Sequence, residues 1–199
     1  MSRMLILAST SPFRKSLLQN AGISFSTEAP GVDERAIEEA NGLASMSASD
    51  VAIELAKAKA LAVSRRHPDA LVIGCDQTMS LGDRAYHKPS DRGMARRQLM
   101  ELRGRTHCLN SGIVIASGGN VLWQQVETAR LSMRNFSESF VDLYLDRVGD
   151  SVLQSVGGYQ LEAEGIQLFD KVDGDYFTII GLPLIPLLDK LRDLGELHA

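Results

Sequence analysis

Acidic and basic side chains that could act on a phosphorylated ligand are spread along this chain of 199 residues. Asp76 follows the apolar run 70–75, which is typical of a buried strand. A carboxylate at the carboxyl end of such a strand lies where open α/β sheets bind ligands. It could hold a divalent cation there, or act as a general base toward water. Asp76 could equally be an acid that begins a turn, and the residue alone does not decide between the two.

The segment 9–14 is a second candidate, because it joins a predicted strand to a predicted helix and is rich in hydroxyl groups. Ser11 suits the N-cap of that helix, Pro12 suits its first position, and Arg14 falls in its first turn. Free N–H groups at a helix N-terminus attract anions, and a guanidinium beside them strengthens the attraction. The segment therefore predicts a phosphate cradle that includes Ser9 and Arg14. An ordinary cap with a surface arginine is the simpler interpretation of such a motif in isolation.

Glu34, Lys59 and Lys88 complete an inventory of two acids and three cations with Asp76 and Arg14. Acids can hold a metal ion and activate water, and cations can neutralise the oxygens of a polyphosphate. The set therefore suits attack on a polyphosphate. Each of the three added charges, taken singly, is more typical of a solvated surface, and their spacing does not show that they converge.

Apolar periodicity predicts the elements that position these residues. The runs 3–8 and 70–75 indicate strands buried on both faces, and later patterns indicate two long strands over 105–117 and 121–134. Capping residues and apolar stripes predict helices that begin near residues 12, 49, 90, 137 and 183, with Ser90 as the cap of the third. Turn residues predict hairpins at Gly82-Asp83 and Asp173-Gly174. Lys59 falls on the apolar stripe of the helix 49–66, where a lysine either snorkels outward or points into a cleft. We therefore expect an α/β fold with a mixed, twisted sheet flanked by helices, in two lobes with a central cleft.

Composition excludes several classes of protein. A net charge of −4 argues against a protein that coats nucleic acid, and no apolar run reaches the roughly 20 residues that span a membrane. The N-terminal segment lacks the pattern of a secretory signal, so a cytoplasmic location is the expectation. Cys75 and Cys108 are too few and too far apart for a thiolate metal site or a disulfide framework, and we expect buried, unreactive thiols.

Six motifs, in order from residue 5 to about 190, resemble those of the Maf-type nucleotide pyrophosphatases. They are Leu7-Ala8-Ser9-Thr10-Ser11-Pro12-Phe13-Arg14, Val32-Asp33-Glu34, Ala58-Lys59-Ala60, Ile73-Gly74-Cys75-Asp76, Lys88-Pro89 and Gly181-Leu182-Pro183-Leu184. The resemblance implies one domain over residues 1–199, with an inosine triphosphatase-like fold. It also implies cleavage between the α- and β-phosphates of a nucleoside triphosphate, a divalent metal cation such as Mg²⁺ or Mn²⁺, and a homodimer as the expected assembly.

Roles carried over from that family follow the matching positions. Asp76 matches the proposed proton acceptor, and Glu34 with Asp76 are the expected metal ligands. The remaining matches to positions that bind phosphate or metal are Ser9, Arg14, Lys59 and Lys88.

Three further positions resemble the subfamily that acts on 7-methyl-GTP rather than the one that acts on dTTP and UTP. They are Phe13, Gln77 and Glu162, where the second subfamily usually has arginine, threonine and glutamine. The base of 7-methyl-GTP is cationic, so a phenyl ring can stack on it with about 0.5–2 kcal/mol of cation–π attraction. A carboxylate can accept both N–H donors of the guanine edge. Local packing of Phe13 and a solvated Glu162 are the plain alternative.

Two other functions stay open at this point. One is a pyrophosphatase for dTTP, UTP, CTP or non-standard nucleotides. The other is a nucleotide-binding regulator of cell division that has no relevant turnover. The complete set of acids and cations favours hydrolysis, because a pure sensor does not need an acid that activates water.

Overall fold

The structure, a computed structural model, describes residues 3–40 and 46–198. Its strands are β1 (Leu5–Ala8), β2 (Ser26–Thr27), β3 (Leu71–Leu81), β4 (Arg84–Tyr86), β5 (Thr106–Ser117), β6 (Asn120–Met133) and β7 (Phe169–Asp173). Its helices are α1 (Pro12–Asn20), α2 (Glu34–Ala40), α3 (Ala48–Arg66), α4 (Arg92–Leu102), α5 (Glu138–Val148), α6 (Tyr176–Ile180) and α7 (Leu184–Asp193). Short 3₁₀ helices cover Gly149–Leu153, Val156–Gly158 and Glu164–Leu168.

The strands form a twisted open sheet in the order β2-β1-β3-β5-β6-β7, with β4 paired to β3. Strand β1 runs parallel to both β2 and β3, whereas the pairs β3–β4 and β6–β7 are antiparallel. The predicted mixed α/β class is therefore confirmed. No helix within 3–40 or 46–198 is long and apolar enough to cross a membrane.

The chain divides into two compact units, which share the strands β3, β5 and β6. Unit 1 comprises Met1–Gln77, Asn110–Glu127 and Asp175–Ala199, and unit 2 comprises Thr78–Leu109 and Thr128–Gly174.

Unit 1 is built around apolar strands that read as buried runs in the sequence. One apolar cluster joins strands β1, β3 and β5 to helices α1 and α7, and its fully buried members include Leu7, Leu18, Ile73, Ile113 and Leu187. Burying one such side chain stabilises a fold by about 1.5–3 kcal/mol. This core fixes the carboxyl end of β1 and the middle of β3, where the candidate residues Ser9 and Asp76 lie.

Glycine brings helix α3 close to the sheet of unit 1. A Cβ added to Gly74 would lie 2.3 Å from the carbonyl oxygen of Ala56 and 2.7 Å from the Cβ of Ala60. A similar atom on Gly112 would lie 2.5 Å from the carbonyl oxygen of Ala52. Larger residues are excluded at both glycines, and this contact sets the height of Lys59 above strand β3.

The sequence predicts that Asp76 ends its strand, and this is wrong, because β3 continues to Leu81. The parallel pairing with β1 ends at the partners Ala8 and Gly74, and the antiparallel pairing with β4 begins at Met79. Asp76 therefore lies just beyond the parallel part of a longer strand. A carboxylate can be buried at such a position because a neighbouring cation compensates for its lost hydration.

Unit 2 packs helices α4 and α5 against each other. Arg96 of α4 binds Asp142 with 2.7 Å between its Nε and Oδ1, and also contacts Glu138. These carboxylates raise the pKa of Arg96, and Arg96 in turn holds the pKa of Asp142 below its usual range. Unit 2 also contains a buried hydrogen bond, with 2.6 Å between His107 Nε2 and the hydroxyl of Tyr159.

Three local predictions are corrected. Helix α4 is capped by Asp91, whose carboxylate accepts from the N–H of Met94, and not by Ser90. The predicted hairpin at 173–174 is wrong, because β7 pairs with β6 and Asp175 then caps α6. The aromatic and β-branched residues of Tyr176–Ile180 are compatible with both a strand and a helix, and the N-cap at Asp175 favours the helix. Cys75 is buried as predicted, but Cys108 is only partly buried.

Candidate active site

The centre of the candidate site is one buried ammonium that contacts two carboxylates. Lys59 Nζ lies 2.5 Å from Oδ1 of Asp76 and 2.6 Å from Oε1 of Glu34. Lys59 and Asp76 are each 7% exposed, whereas the side chain of Glu34 is half exposed. The two acids bring a formal charge of −2 and the lysine +1, so the cluster carries a net negative charge on its own.

Each member of this cluster comes from a different element of unit 1. Lys59 lies on helix α3, Asp76 on strand β3, and Glu34 is the first residue of α2. The predicted alternatives for Lys59 are decided in favour of an inward direction, because its ammonium meets Asp76 instead of snorkelling to water. Breaking a buried ion pair by removing one partner usually costs about 3–5 kcal/mol. The cluster is therefore firmly positioned before any ligand binds.

Arg14 is held beside the Asp76 backbone. Its Nη1 donates to the carbonyl oxygen of Cys75 at 3.0 Å, and its Nε donates to that of Gly181 at 2.8 Å. The Cys75 thiol beside it is fully buried, and this burial raises its pKa to about 11. The thiol therefore stays protonated near neutral pH and is unsuited to act as a nucleophile.

The turn before α1 has the local geometry that its sequence predicts. The Oγ of Ser11 accepts from the N–H of Arg14 at 3.5 Å, as an N-cap does, and the Oγ of Ser9 accepts from the N–H of Ser11 at 3.2 Å. Ser9 is buried at the end of β1, while Phe13 is half-buried in the first turn of the helix. Hydroxyl groups, a helix N-terminus and Arg14 thus lie within one short segment, as an anion site requires.

Gln77 follows Asp76 on β3 and is anchored through its side-chain amide. Its Nε2 lies 2.9 Å from Oγ of Ser111, 3.0 Å from the carbonyl oxygen of Thr178 and 3.1 Å from that of Ile179. All of these groups belong to unit 1. The amide is therefore fixed by the sheet and by helix α6 rather than by its own rotamer preference alone.

The two remaining candidates, Lys88 and Glu162, belong to unit 2. Lys88 is exposed on the loop after β4, where the neighbouring His87 carbonyl accepts from Nε2 of the buried Gln98 at 3.0 Å. Glu162 is exposed in a turn that precedes the 3₁₀ helix Glu164–Leu168. Both side chains are accessible to a ligand.

The carboxylates of Glu34 and Asp76 are the groups of the site that could hold a divalent cation. Both converge on a single positive charge, and carboxylate oxygens are the ligands that Mg²⁺ and Mn²⁺ prefer. Within residues 3–40 and 46–198 no cluster of three or more His, Cys, Asp or Glu side chains forms a cage for a metal. Two carboxylates that are completed by substrate phosphates and water are a common set for Mg²⁺, so the residues fit the ion.

Comparison with known proteins assigns the family. The model of the family described as "Maf-like protein" matches residues 4–194 of this chain. The chain belongs to the Maf-like family. A protein of Rhizobium meliloti (strain 1021) named "7-methyl-GTP pyrophosphatase" is 54% identical over 199 residues, which is 100% of both chains.

Two further relatives also have names of pyrophosphatases. One from Brucella abortus biovar 1 (strain 9-941), also named "7-methyl-GTP pyrophosphatase", is 55% identical over 192 residues, 96% of each chain. One from Rhodopseudomonas palustris (strain BisB18), named "Nucleoside triphosphate pyrophosphatase", is 48% identical over 191 residues, 96% of this chain and 94% of the relative.

Sequence reasoning missed the groups that support the site of this Maf-like protein, chiefly Ser111, Thr178 and the carbonyl of Ile179. Ser111 did leave a signal, because a serine in the middle of the apolar strand pattern 105–117 must find a hydrogen-bond partner when it is buried. Thr178 and Ile179 left none, because they contribute main-chain oxygens.

Proposed function

We propose that this chain is a nucleoside triphosphate pyrophosphatase whose preferred substrate is 7-methyl-GTP, which it hydrolyses to 7-methyl-GMP and pyrophosphate. Membership of the Maf-like family and the names of its relatives support the enzyme class. The observation that carries the proposal is the cluster of Asp76, Lys59 and Glu34, with Arg14 bound to the carbonyl just before Asp76.

Asp76 is the proton acceptor of the proposed reaction. Its Oδ1 accepts from Lys59, and we assign Oδ2 to the attacking water. The water loses its proton to this carboxylate and attacks the α-phosphorus, and the bond to the bridging oxygen of the β-phosphate breaks. Lys59 orients the carboxylate, because the short contact restricts rotation of the Asp76 side chain.

Arg14, Lys59 and Lys88 stabilise the pyrophosphate leaving group in this scheme. Charge accumulates on the bridging oxygen and on the β- and γ-phosphates as the bond breaks, and fixed cations lower the energy of that state. Ser9 and the N–H groups at the start of α1 add neutral donors for the same oxygens. The guanidinium of Arg14 is held by two carbonyls, so little of its freedom is lost when a phosphate binds.

A divalent cation would be held by Glu34 and Asp76. Bound there with the triphosphate, it would supply positive charge that neutralises the phosphate oxygens facing the two carboxylates.

Phe13, Gln77 and Glu162 are the proposed determinants of base specificity. Phe13 is half-buried at the start of α1, so the residue is partly accessible to a cationic base that would stack on its ring. Glu162 is exposed and can accept the two N–H donors of the guanine edge together. The two relatives named for 7-methyl-GTP, at 54% and 55% identity, support the same assignment.

A substrate panel tests the proposal. Release of pyrophosphate is measured with 7-methyl-GTP, GTP, dTTP, UTP and CTP in the presence of Mg²⁺ or Mn²⁺. We expect the highest kcat/KM for 7-methyl-GTP. A clear preference for dTTP or UTP would contradict the substrate and leave the enzyme class standing. Nucleotide binding without any pyrophosphate would contradict the enzyme and favour a regulator.

The substitution Phe13→Leu isolates the cation–π contribution. It keeps an apolar side chain but removes the ring, so kcat/KM for 7-methyl-GTP should fall by about 2- to 30-fold, the equivalent of 0.5–2 kcal/mol. GTP is the matched control, because its base lacks the positive charge and should lose much less. Equal losses with both nucleotides would show that Phe13 only packs locally.

A further inference from the structure

The C-terminal end of helix α6 presents main-chain oxygens to two residues of the candidate site. One is Gln77, which follows Asp76 on β3, and the other is Arg14, which donates to the carbonyl of Cys75 just before Asp76. The carbonyls of Thr178 and Ile179 accept from Gln77, and the carbonyl of Gly181 accepts from Arg14. The last carbonyls of a helix lack following N–H groups of a regular turn and so can accept from side chains, and the carbonyl of Thr178 also accepts from the N–H of Gly181 at 3.0 Å. We call the carbonyl oxygens of Thr178, Ile179 and Gly181 the α6 cap. The α6 cap therefore accepts hydrogen bonds both from Arg14, which is predicted to bind phosphate, and from Gln77, which is predicted to determine specificity.

The α6 cap determines which way the Gln77 amide faces. The oxygen and nitrogen of an amide have nearly the same shape, but a main-chain carbonyl can only accept a hydrogen bond. The atom that faces Thr178 O and Ile179 O at 3.0 and 3.1 Å must therefore be Nε2. Nε2 carries all three described bonds of this side chain and Oε1 carries none of them. Any further partner of the Gln77 amide must then be a donor that reaches Oε1.

Ser111 completes this arrangement from strand β5. It is fully buried, its Oγ accepts from Gln77 Nε2 at 2.9 Å, and its own hydroxyl donates to the carbonyl of Thr178 at 2.8 Å. Its single proton is thus directed to the α6 cap, so the oxygen is left to accept from Gln77. Ser111 therefore excludes the flipped amide, in which its Oγ would face an oxygen.

Asp175 and Gly181 hold the α6 cap in place. Asp175 Oδ2 accepts from the N–H of Thr178 at 2.9 Å, which starts the helix, and Gly181 ends it with φ of 100°. A Cβ on Gly181 would lie 3.5 Å from Nε of Arg14 and 3.8 Å from Nε2 of Gln77. Gly181 therefore packs against both residues, and an L-amino acid there would be strained as well.

We propose that Ser111 is a positioning residue, which with the α6 cap holds Gln77 so that it offers the nucleotide only the acceptor Oε1. Gln77 then selects for an N–H or O–H donor of the nucleotide and against an acceptor at the same point. This inference rests on the proposed function, because it concerns the specificity of the same site.

The first test measures the amide and needs no activity. The ¹⁵N side-chain signals of Gln77 are identified by their loss in Gln77→Leu. Their hydrogen exchange is then compared with that of Gln19, which is exposed on α1. We expect exchange of the Gln77 amide to be slowed by at least tenfold relative to Gln19, and to become faster in Ser111→Ala. Equal exchange in Gln77 and Gln19 would overturn the inference, whatever reaction the protein catalyses.

The second test measures kinetics with three nucleotides: 7-methyl-GTP, 7-methyl-ITP, which lacks the exocyclic amino group, and 7-methyl-2′-deoxy-GTP, which lacks one ribose hydroxyl. Loss of a neutral hydrogen bond predicts that Ser111→Ala raises KM for 7-methyl-GTP by about 3- to 10-fold with kcat nearly unchanged. For the analogue that lacks the donor bound by Oε1 of Gln77, Ser111→Ala should leave KM at its wild-type value. An equal rise for all three nucleotides would assign the donor to a group that all three share, and an unchanged KM for all three in Ser111→Ala would overturn the inference.

Ser64→Ala is the matched control. Ser64 is also a fully buried serine of unit 1, and its Oγ accepts from the N–H of Gly119 at 2.8 Å. The substitution removes a comparable bond far from the α6 cap in the hydrogen-bond network, so it should lower the melting temperature but leave KM unchanged for every nucleotide. A rise in KM equal to that of Ser111→Ala would identify a general loss of stability and overturn the positioning role. If the wild type released pyrophosphate from no nucleotide, the proposed function would be contradicted. The hydrogen-exchange experiment would still test the orientation of the Gln77 amide.

Discussion

Replacing Lys59 by methionine should cost stability and make the protein depend on divalent cations. The side chain of Lys59 is 9% exposed, and its ammonium contacts Asp76 at 2.5 Å and Glu34 at 2.6 Å. Methionine fills a similar volume but leaves the two carboxylates without a cation. Removing one partner of a buried pair costs about 3–5 kcal/mol. Because Glu34 is half exposed and can turn to water, we expect a loss of about 3 kcal/mol, near the lower end.

Thermal unfolding measures this loss directly. For a chain of this size 1 kcal/mol corresponds to about 2–4 °C, so Lys59→Met should lower Tm by roughly 6–12 °C in the presence of a chelator. Lys57→Met is the matched control on the same helix, since Lys57 makes a 3.4 Å contact with Glu54 at the surface. Such exposed pairs contribute about 0–1 kcal/mol, so the control should barely move Tm.

Adding Mn²⁺ extends the experiment to the proposed metal ligands. In Lys59→Met the two carboxylates are no longer neutralised, so a cation at about 100 times its Kd should restore about 2.7 kcal/mol. The wild type should gain less, because the ammonium already binds the same two acids. Equal Tm values for Lys59→Met and Lys57→Met would refute the view that the buried cluster is firmly held. Equal gains from Mn²⁺ in wild type and Lys59→Met would refute competition for Glu34 and Asp76.

Two other predictions follow from single residues. Gly181→Ala should lower kcat/KM by tenfold or more, because a positive φ strains any L-residue, and relief of that strain would move the carbonyl that binds Arg14. Gly195→Ala, at another positive φ with no atom within 4 Å of the added Cβ, is the control. The assay is pyrophosphate release, and unchanged kcat/KM would show that the turn does not position Arg14. For His107, burial lowers the pKa to about 4, so the unfolded chain binds the proton first as pH falls from 6.5. His107 therefore stabilises the fold least at acidic pH. Denaturant titrations should show up to about 3 kcal/mol lost between pH 6.5 and 4, and His107→Gln should flatten that slope.

Elements with a strong local signal could be predicted from the sequence. The cap at Ser11 with Pro12, the buried run of β1 and the helix that ends near Arg66 all have the expected bounds within a residue or two. Their signals are local, since a cap, a proline and an apolar period act within a few residues. The inward direction of Lys59 was one of two alternatives, and only the depth at which α3 packs on Gly74 decides it.

Features that depend on distant partners could not be predicted. The hairpin of β3 with β4 is confirmed, because the turn Gly82-Asp83 is a local signal. No local pattern shows that its first strand is continuous with the run 70–75 through Asp76. The anchoring of Gln77 depends on carbonyls about 100 residues away, and main-chain oxygens leave no trace in residue types. The short segment after Asp175 fits helix or strand by pattern, and a single side-chain cap decides it.

Hydrolysis in ¹⁸O-labelled water tests the central claim most directly. Wild-type protein and Asp76→Asn are incubated with 7-methyl-GTP, and the position of the label is read by mass spectrometry. Attack on the α-phosphorus with Asp76 as proton acceptor predicts one ¹⁸O in 7-methyl-GMP, unlabelled pyrophosphate, and turnover reduced by at least a thousandfold in Asp76→Asn, the equivalent of about 4 kcal/mol. Label in pyrophosphate, release of a nucleoside diphosphate, or near-normal turnover in Asp76→Asn would contradict the account.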